Sequence, residues 1–107
     1  MYRVRRNGLE FTWSKLKNRS NKRKHGVSFE EAATIFDDAH ALESFDPVNS
    51  EDEDRFLLVG MSAGLRVLFV CHCYRENNST IRIISARKAN GQETQDYERY
   101  RHHEGPL

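Results

Sequence analysis

The side chains best suited to chemistry in this chain are arginines on predicted strands. Arg66 begins an apolar segment, Arg82 interrupts the apolar run I-R-I-I-S, and Arg87 lies near the end of that run. A guanidinium group keeps its charge at neutral pH, and its planar fork matches two phosphate oxygens. An arginine inside a strand faces water or pairs with an acid about as often as it contacts phosphate. Both interpretations of Arg82 therefore stay open.

A second candidate group lies in the stretch K-R-K-H-G-V-S-F-E-E-A, where Lys24 and His25 precede a glycine. An imidazole can accept or donate a proton near neutral pH, and a lysine can do so when neighbouring cations lower its pKa. Positive charge in the last turn of a helix also stabilises the exposed carbonyl ends. The two residues are therefore either working groups or the basic end of a helix.

The segment C-H-C-Y contains further candidates. Because alternate strand residues share a face, His72 and Tyr74 lie on the face of Arg66. A neutral, half-buried sheet histidine is a more common role for His72 than a catalyst. Cys71 and Cys73 are predicted as reduced core residues, since a structural zinc site needs four ligands and the chain has no second pair. The sequence predicts neither a metal nor a cofactor.

Charge is unevenly distributed, although the net charge is only +1. Residues 1–25 contain nine lysines and arginines against one acid, whereas residues 26–54 contain ten acids and no lysine or arginine. An acidic block between two basic ones allows the fold to gather the basic ends into one anion-binding surface. The chain has no apolar run of the length of a membrane span or a signal peptide. We expect a cytoplasmic protein that does not bind membranes.

The candidate lysine and histidine are positioned by two helices and the corner between them. Residues 14–25 are predicted as a very polar helix, and Gly26 suits the left-handed residue that ends it. Ser28 followed three residues later by Glu31 predicts a capping box for a second helix over 29–36.

Strands are predicted from alternation and turn residues. A first strand region covers 2–13, where Asn7-Gly8 suits a hairpin turn, and an acidic connection over 37–54 allows a short strand at 41–45. The remaining elements are strands at 55–62, 65–74 (central) and 80–88, and a helix over 91–103 capped by Asn90 with Glu93. We predict one α+β domain over 1–107, a small antiparallel sheet with helices packed mainly on one face, in the order β-α-α-β-β-β-α.

Two strings in this sequence are specific enough to indicate a family. They are K-H-G-V-S-F-E-E-A at 24–32 and I-R-I-I-S-A-R-K-A at 81–89. Supporting positions are Phe11, Trp13, Lys17, Asn21, Arg55, Phe56, Gly60, Ser62, Glu93, Tyr97 and Glu98. Together these motifs resemble the BrnT family, the toxins of BrnT/BrnA type II toxin–antitoxin modules in the RelE-like superfamily. The resemblance covers about residues 11–98. The family pattern F-E-W-D is F-T-W-S here, with Thr12 and Ser14 replacing two acids.

The resemblance implies a RelE-like fold and a ribonuclease that arrests translation. Such enzymes typically need no metal, because the ribose 2′-hydroxyl attacks the adjacent phosphate. The resemblance also implies a cognate BrnA-like ribbon-helix-helix antitoxin that neutralises the toxin. The toxin would contact operator DNA only as part of its complex with the antitoxin.

The resemblance also assigns expected roles to the candidate residues. Catalysis needs a base for the 2′ proton, an acid for the leaving oxygen and cations for the charge on the phosphate. We expect phosphate stabilisation from Arg66, Arg82 and Arg87, and proton transfer or a further phosphate contact from Lys24 and His25. Expected RNA contacts are Lys17, Arg23, His72, Tyr74 and Lys88.

A different class of function stays open. The altered F-T-W-S segment allows a non-catalytic module that keeps the toxin fold and acts with a ribbon-helix-helix partner to repress their operon. An RNA-cleavage assay distinguishes the two hypotheses. A generic basic RNA-binding domain would not explain the two strings.

Overall fold

The computed structural model describes residues 2–6 and 8–103, which fold as a six-stranded sheet with three α-helices. The strands are β1 (Tyr2–Arg6), β2 (Leu9–Trp13), β3 (Leu42–Phe45), β4 (Phe56–Met61), β5 (Val67–Arg75) and β6 (Thr80–Lys88). The helices are α1 (Lys15–His25), α2 (Phe29–Thr34) and α3 (Gly91–His103), with a 3₁₀ turn at Ile35–Asp37. None of the helices in this part of the chain is long and apolar enough to cross a membrane.

The sheet is mixed, in the order β1-β2-β6-β5-β4-β3. Its pairs are antiparallel except for β2 and β6, which run parallel. The prediction of a purely antiparallel sheet is therefore wrong at that junction. The predicted order also lacks two strands, since the first strand region is a hairpin and the acidic connection contains β3. Gly8 has a φ of 81° in the hairpin turn, whereas Asn7 lies outside the described residues.

One end of β6 is bordered by a helix instead of a strand. β2 pairs with β6 only over Thr80–Arg82, after which the chain leaves β2 and enters α1. Asn21 of α1 donates to the Ala86 carbonyl (2.7 Å) and accepts from the Ala86 N–H (3.2 Å). Its side-chain amide therefore takes the place of a neighbouring strand at the free edge of β6.

The main core lies between one sheet face and the layer of α1 and α2. Leu68 and Val70 of β5 and Ile83 and Ala86 of β6 point into it. The core also contains Phe11, Trp13, Val27, Phe29, Ala32, Ala33, Ile35, Leu58 and Ile81. α3 begins on the other face, because its first turn pairs with Arg87, whose side chain alternates with that of Ala86. The prediction that helices pack mainly on one face thus describes two of the three.

The predicted cap residues position the helices as expected. Gly26 has a φ of 70° and donates its N–H to the Lys22 carbonyl, and the Ser28 hydroxyl accepts from the N–H of Glu31. α3 has the bounds predicted for it, and Asn90 forms a complete capping box with Glu93. The capping box predicted for α2 is only half formed, because the Glu31 carboxylate accepts hydrogen bonds from Ser62 and Arg66 instead of from the Ser28 N–H.

Two residues of the acidic connection, Asp46 and Glu53, lie near the outer face of the central strand. Cys71 and Cys73 are free and buried, as predicted, but they alternate with the core residues of β5 and lie on the opposite sheet face. Burial raises the pKa of the Cys71 thiol, and Asp46 and Glu53 of the connection are close enough to contribute. The central position of β5, between β4 and β6, is confirmed.

Candidate nucleic-acid interface

A shallow cleft lies between α1 and β6, and we call it the α1–β6 cleft. It has a volume of about 230 Å³ and is lined by Lys17, Ser20, Asn21, Lys24, His25, Ile84 and Ser85. Lys17, Lys24 and His25 meet there because positions i, i+7 and i+8 share one side of a helix. Their side chains are exposed, whereas Asn21 beneath them is buried. Three predicted site residues are therefore collected beside one strand.

A β-bulge gives β6 a single arginine-bearing face. Cys71 of β5 pairs with Ser85, but the next residue, His72, pairs with Ile83, so Ile84 is an extra residue in β6. Arg82 and Arg87 are five positions apart, and a regular strand would point them to opposite sides. With the bulge, Arg82, Ser85 and Arg87 share one face, which we call the arginine face. Ser85 also lines the α1–β6 cleft, so the two features adjoin.

Arg87 is held firmly within this face. Its guanidinium group makes two hydrogen bonds to Glu93, of 2.8 and 2.9 Å, and lies 4.0 Å from the centre of the Phe69 ring. The hydrogen bonds to Glu93 raise the pKa of Arg87 and lower the pKa of the Glu93 carboxyl. Arg87 therefore anchors the start of α3, and 37% of its side chain stays exposed.

Arg82 lies in a second cleft, farther along the arginine face. The cleft has a volume of about 370 Å³ and is lined by Arg3, Thr12, Arg75, Glu76, Thr80 and Arg82. Thr12 is the register partner of Arg82 and places a neutral side chain beside it. Ser14 accepts from the Lys17 N–H and caps α1. Thr12 and Ser14 therefore leave a neutral side chain beside Arg82 and cap the start of α1.

Arg66 lies on the opposite face of the sheet. Its guanidinium group forms an ion pair and a 3.0 Å hydrogen bond with Glu31, and it donates to the Gly26 carbonyl. Hydrogen bonding from Arg66 holds the pKa of Glu31 below its usual value, and Lys88 contributes a smaller effect through its charge. Arg66 and Lys88 thus belong to the corner between α1 and α2, where Arg66 has a structural role.

His72 and Tyr74 contact a carboxylate instead of an open surface. His72 is 0% exposed, and its Nε2 lies 2.9 Å from Glu43, which also accepts from the Tyr74 hydroxyl. Burial lowers the pKa of His72, and burial with Glu43 raises the pKa of Tyr74. Tyr74 lines a cleft of about 550 Å³ with Glu43, Glu53, Asp54, Phe56 and Asn78. Three carboxylates repel a phosphate, so we do not carry His72 and Tyr74 forward as RNA contacts.

The last predicted contact, Arg23, is exposed but points away from the α1–β6 cleft, since it is off the helical stripe of Lys17 and Lys24. Sequence reasoning missed Arg3, Arg75 and Ser85. The predicted strand ended one residue before Arg75, and no sequence signal marked the bulge that orients Ser85. Within residues 2–6 and 8–103, no three His, Cys, Asp or Glu side chains group closely enough to hold a metal ion.

A protein-family model and a solved structure both match this chain. Residues 13–93 match the family model described as "Ribonuclease toxin, BrnT, of type II toxin-antitoxin system". The fold is similar to the 1.1 Å crystal structure of the ribonuclease toxin BrnT from Brucella abortus, with a TM-score of 0.55 and 22% sequence identity. That alignment covers 75% of this chain and 95% of the Brucella chain. No curated protein matches the chain in sequence.

Proposed function

Since the chain belongs to the BrnT family, the ribonuclease toxins of type II toxin–antitoxin systems, we propose that it cleaves RNA at the α1–β6 cleft and the adjoining arginine face. The observation that carries this proposal is that Lys24 and His25 of α1 line a cleft together with Ser85 of β6. The same strand bears Arg82 and Arg87. Groups able to transfer protons and groups able to bind phosphate thereby share one surface.

The proposed reaction is an internal displacement that needs no metal. His25 accepts the proton of the ribose 2′-hydroxyl, and the 2′-oxygen forms a bond to phosphorus. The bond from phosphorus to the 5′-oxygen breaks, and Lys24 donates a proton to that oxygen. The products are a 2′,3′-cyclic phosphate and a free 5′-hydroxyl, so atoms and charge balance without a co-reactant.

The arginines act on the charge of the phosphate. Negative charge on the nonbridging oxygens increases as the pentacoordinate phosphate forms, and fixed cations stabilise it. Arg82 provides one guanidinium group, and Arg87 is oriented in advance by Glu93 and Phe69. Lys17 holds an adjacent phosphate at the end of the cleft nearer the start of α1.

Mutagenesis tests this assignment directly. We expect His25→Gln and Lys24→Met each to lower the cleavage rate about 10²- to 10⁴-fold, the usual contribution of general acid–base catalysis. Arg82→Ala should have a similar effect and relieve growth arrest. The readouts are cleavage of a labelled RNA in vitro, the chemical nature of the new ends, and growth after induction.

Arg23→Gln is the matched control, because Arg23 lies on the same helix but off the cleft. It should leave cleavage within about twofold of the wild type, since an exposed arginine off the site contributes little. Folded His25→Gln, Lys24→Met and Arg82→Ala variants that keep wild-type cleavage would show that the site lies elsewhere.

The family name also implies an antitoxin partner. We propose that this partner is a BrnA-like ribbon-helix-helix protein that neutralises the toxin in the cytoplasm, and that operator DNA is contacted only by the complex. The wider RelE-like relationship belongs to the same proposal. Co-expression with the candidate antitoxin should restore growth, and both proteins should co-purify at a fixed ratio.

One observation favours the non-catalytic alternative. Two of the three predicted phosphate-binding arginines, Arg66 and Arg87, form ion pairs with Glu31 and Glu93. In a toxin-fold module that acts only through its partner, Arg66 and Arg87 would stabilise the fold through these ion pairs and would not bind phosphate. In that case the purified wild type binds the partner and its operator but leaves RNA intact.

A further inference from the structure

The N-terminal strand adds cations to the arginine face. β1 lies outside the residues matched by the family model, which begin at 13. Its antiparallel register places Arg3 opposite Thr12 and Arg5 opposite Glu10. Since Thr12 is the register partner of Arg82, Arg3 and Arg5 point to the same side of the sheet as Arg82.

Three strands contribute arginines to the 370 Å³ cleft described above. Arg3 comes from β1, Arg75 from the end of β5 and Arg82 from β6. The side chain of Arg3 is 53% exposed and that of Arg75 is 45% exposed, so a ligand in solution can reach both. Planar guanidinium groups that converge from different strands suit the tetrahedral oxygens of a phosphodiester.

The carboxylates near the cleft hold these arginines in place. Glu10 pairs with Arg3, and Glu53 lies 2.7 Å from Arg75. Glu76, on the rim, lies 3.9 Å from Arg3. Each guanidinium group has five N–H donors, so one or two carboxylate partners still leave donors for an anion. The three arginines of the cleft are matched in number by these three carboxylates, so the loss of one arginine leaves a net negative charge and should weaken phosphate binding measurably.

We propose that Arg3 and Arg75 form a second phosphate-binding subsite in this cleft, which holds the phosphodiester next to the one that Arg82 stabilises during cleavage. The proposal rests on the ribonuclease function proposed above. Its ligand is the backbone of a single-stranded polynucleotide, and the contact carries no sequence preference because it involves phosphate alone. Arg3 and Arg75 lie outside the α1–β6 cleft, so they bind substrate without taking part in proton transfer.

The test uses a fluorescein-labelled oligonucleotide of about ten 2′-O-methyl nucleotides, which keeps its phosphates but cannot be cleaved. Anisotropy titrations at several salt concentrations give the affinity and its salt dependence. We expect Arg3→Gln and Arg75→Gln each to weaken binding about 3- to 10-fold and to reduce the slope of log K against log salt by about 0.7. Arg3→Lys should recover part of the affinity. Glu76→Gln should tighten binding, because it removes a competing carboxylate.

Arg6→Gln is the matched control. Arg6 lies on the same strand and carries the same charge, but it points to the other side of the sheet and pairs with Asp37 at 2.6 Å. It should leave oligonucleotide binding unchanged. Circular dichroism and thermal denaturation establish that every variant is folded.

Several outcomes would overturn the proposal. They are no binding by the wild type, equal binding by wild type, Arg3→Gln and Arg75→Gln, or an equal loss in Arg6→Gln. Arg3-dependent binding of poly-L-glutamate that is tighter than oligonucleotide binding would assign the cleft to a protein partner instead. Because the oligonucleotide cannot be cleaved, these binding results do not depend on nuclease activity. Failure of the proposed nuclease function would appear only in the cleavage assay.

Discussion

His72 is enclosed by aromatic rings. The ring centres of Phe36, Tyr74 and Phe56 lie 4.9, 5.3 and 6.2 Å from its own, and Glu43 binds its Nε2. Its Nδ1 has no hydrogen-bond partner among the described residues. These contacts explain why His72, which lies opposite Ile83 on the core side of the sheet, is fully enclosed. Burial, which the sequence does not encode locally, decides its role.

The stability of the protein should depend on pH through His72. Burial holds its pKa below the ordinary value of about 6.5, and the hydrogen bond to Glu43 offsets only part of that effect. Below about pH 6.5 the unfolded chain protonates this histidine while the folded protein keeps it neutral, so protons favour unfolding. The free energy of unfolding should fall as the pH drops from about 6.5 towards the folded-state pKa, by at most about 1.4 kcal/mol per pH unit. Urea denaturation between about pH 5 and pH 8 measures this slope.

His72→Gln separates the loss of packing from the loss of titration. At about pH 8 the variant should be less stable than the wild type, because a glutamine fills the aromatic enclosure poorly. On lowering the pH it should lose less stability than the wild type does. Parallel curves for the two proteins would contradict the prediction.

At the scale of elements, the turn between β4 and β5 is strained at an unexpected residue. The strands predicted at 55–62 and 65–74 leave Ala63-Gly64 as the turn between them, but the left-handed conformation falls on Leu65, with a φ of 62°. A Cβ on Gly64 would lie 2.9 Å from Oε2 of Glu31, so it would displace a carboxylate that hydrogen bonds from Ser62 and Arg66 hold in place. The approach of Glu31 to this turn, which also contributes the Ser62 hydroxyl, is a tertiary contact that local propensity cannot reveal.

Leu65→Asn should stabilise the protein. Leu65 is 83% exposed, so little packing is lost, and asparagine tolerates the left-handed region better than leucine. We expect a gain of about 0.5–1 kcal/mol in the free energy of unfolding. Gly64→Ala, one residue earlier, should be destabilising because its Cβ meets Glu31. Urea denaturation of both variants measures these changes. If Gly64→Ala raised the free energy of unfolding and Leu65→Asn lowered it, the strain would not lie at Leu65.

Several elements followed from local signals, and those that did not depend on pairing between distant segments. The caps at Gly26, Ser28 and Asn90 and the bounds of α3 and β6 were predictable because they rest on nearby residues. The parallel pairing of β2 with β6 was not, since about 70 residues separate the paired positions. The bulge at Ile84 was equally hidden, because nothing in I-R-I-I-S-A-R-K marks an extra residue.

At the scale of the whole molecule, the two sheet faces have different roles. α1 and α2 cover one face and bury the main core, while the other face carries Arg3, Arg82 and Arg87 beside the buried cysteines. The basic N-terminal segment and β6 thus lie together, as the charge pattern allowed. Arg66 was predicted with the other arginines but belongs to the core side, because strand alternation and the Glu31 ion pair place it there.

Asn21 connects the core to the candidate site, so its loss should affect the whole molecule. Its amide is buried and bonds Ala86 of β6 and the Val27 carbonyl at the corner after α1. Asn21→Ala leaves buried backbone groups without partners, which should cost about 2–4 kcal/mol of unfolding free energy. Asn21→Asp should be at least as destabilising, because its carboxylate would face two carbonyl oxygens. Urea denaturation measures both.

Asn18→Ala is the control on the same helix. Asn18 also bonds across to α2, through the Phe29 N–H and Glu30, but it is only partly buried and water can replace its contacts. It should cost only about 1 kcal/mol. Because Asn21 also forms part of the α1–β6 cleft, Asn21→Ala should reduce RNA cleavage even at temperatures where it stays folded. A folded Asn21→Ala variant with wild-type cleavage would show that the position of α1 against β6 does not govern the reaction. The chemistry would then have to lie on the arginine face alone.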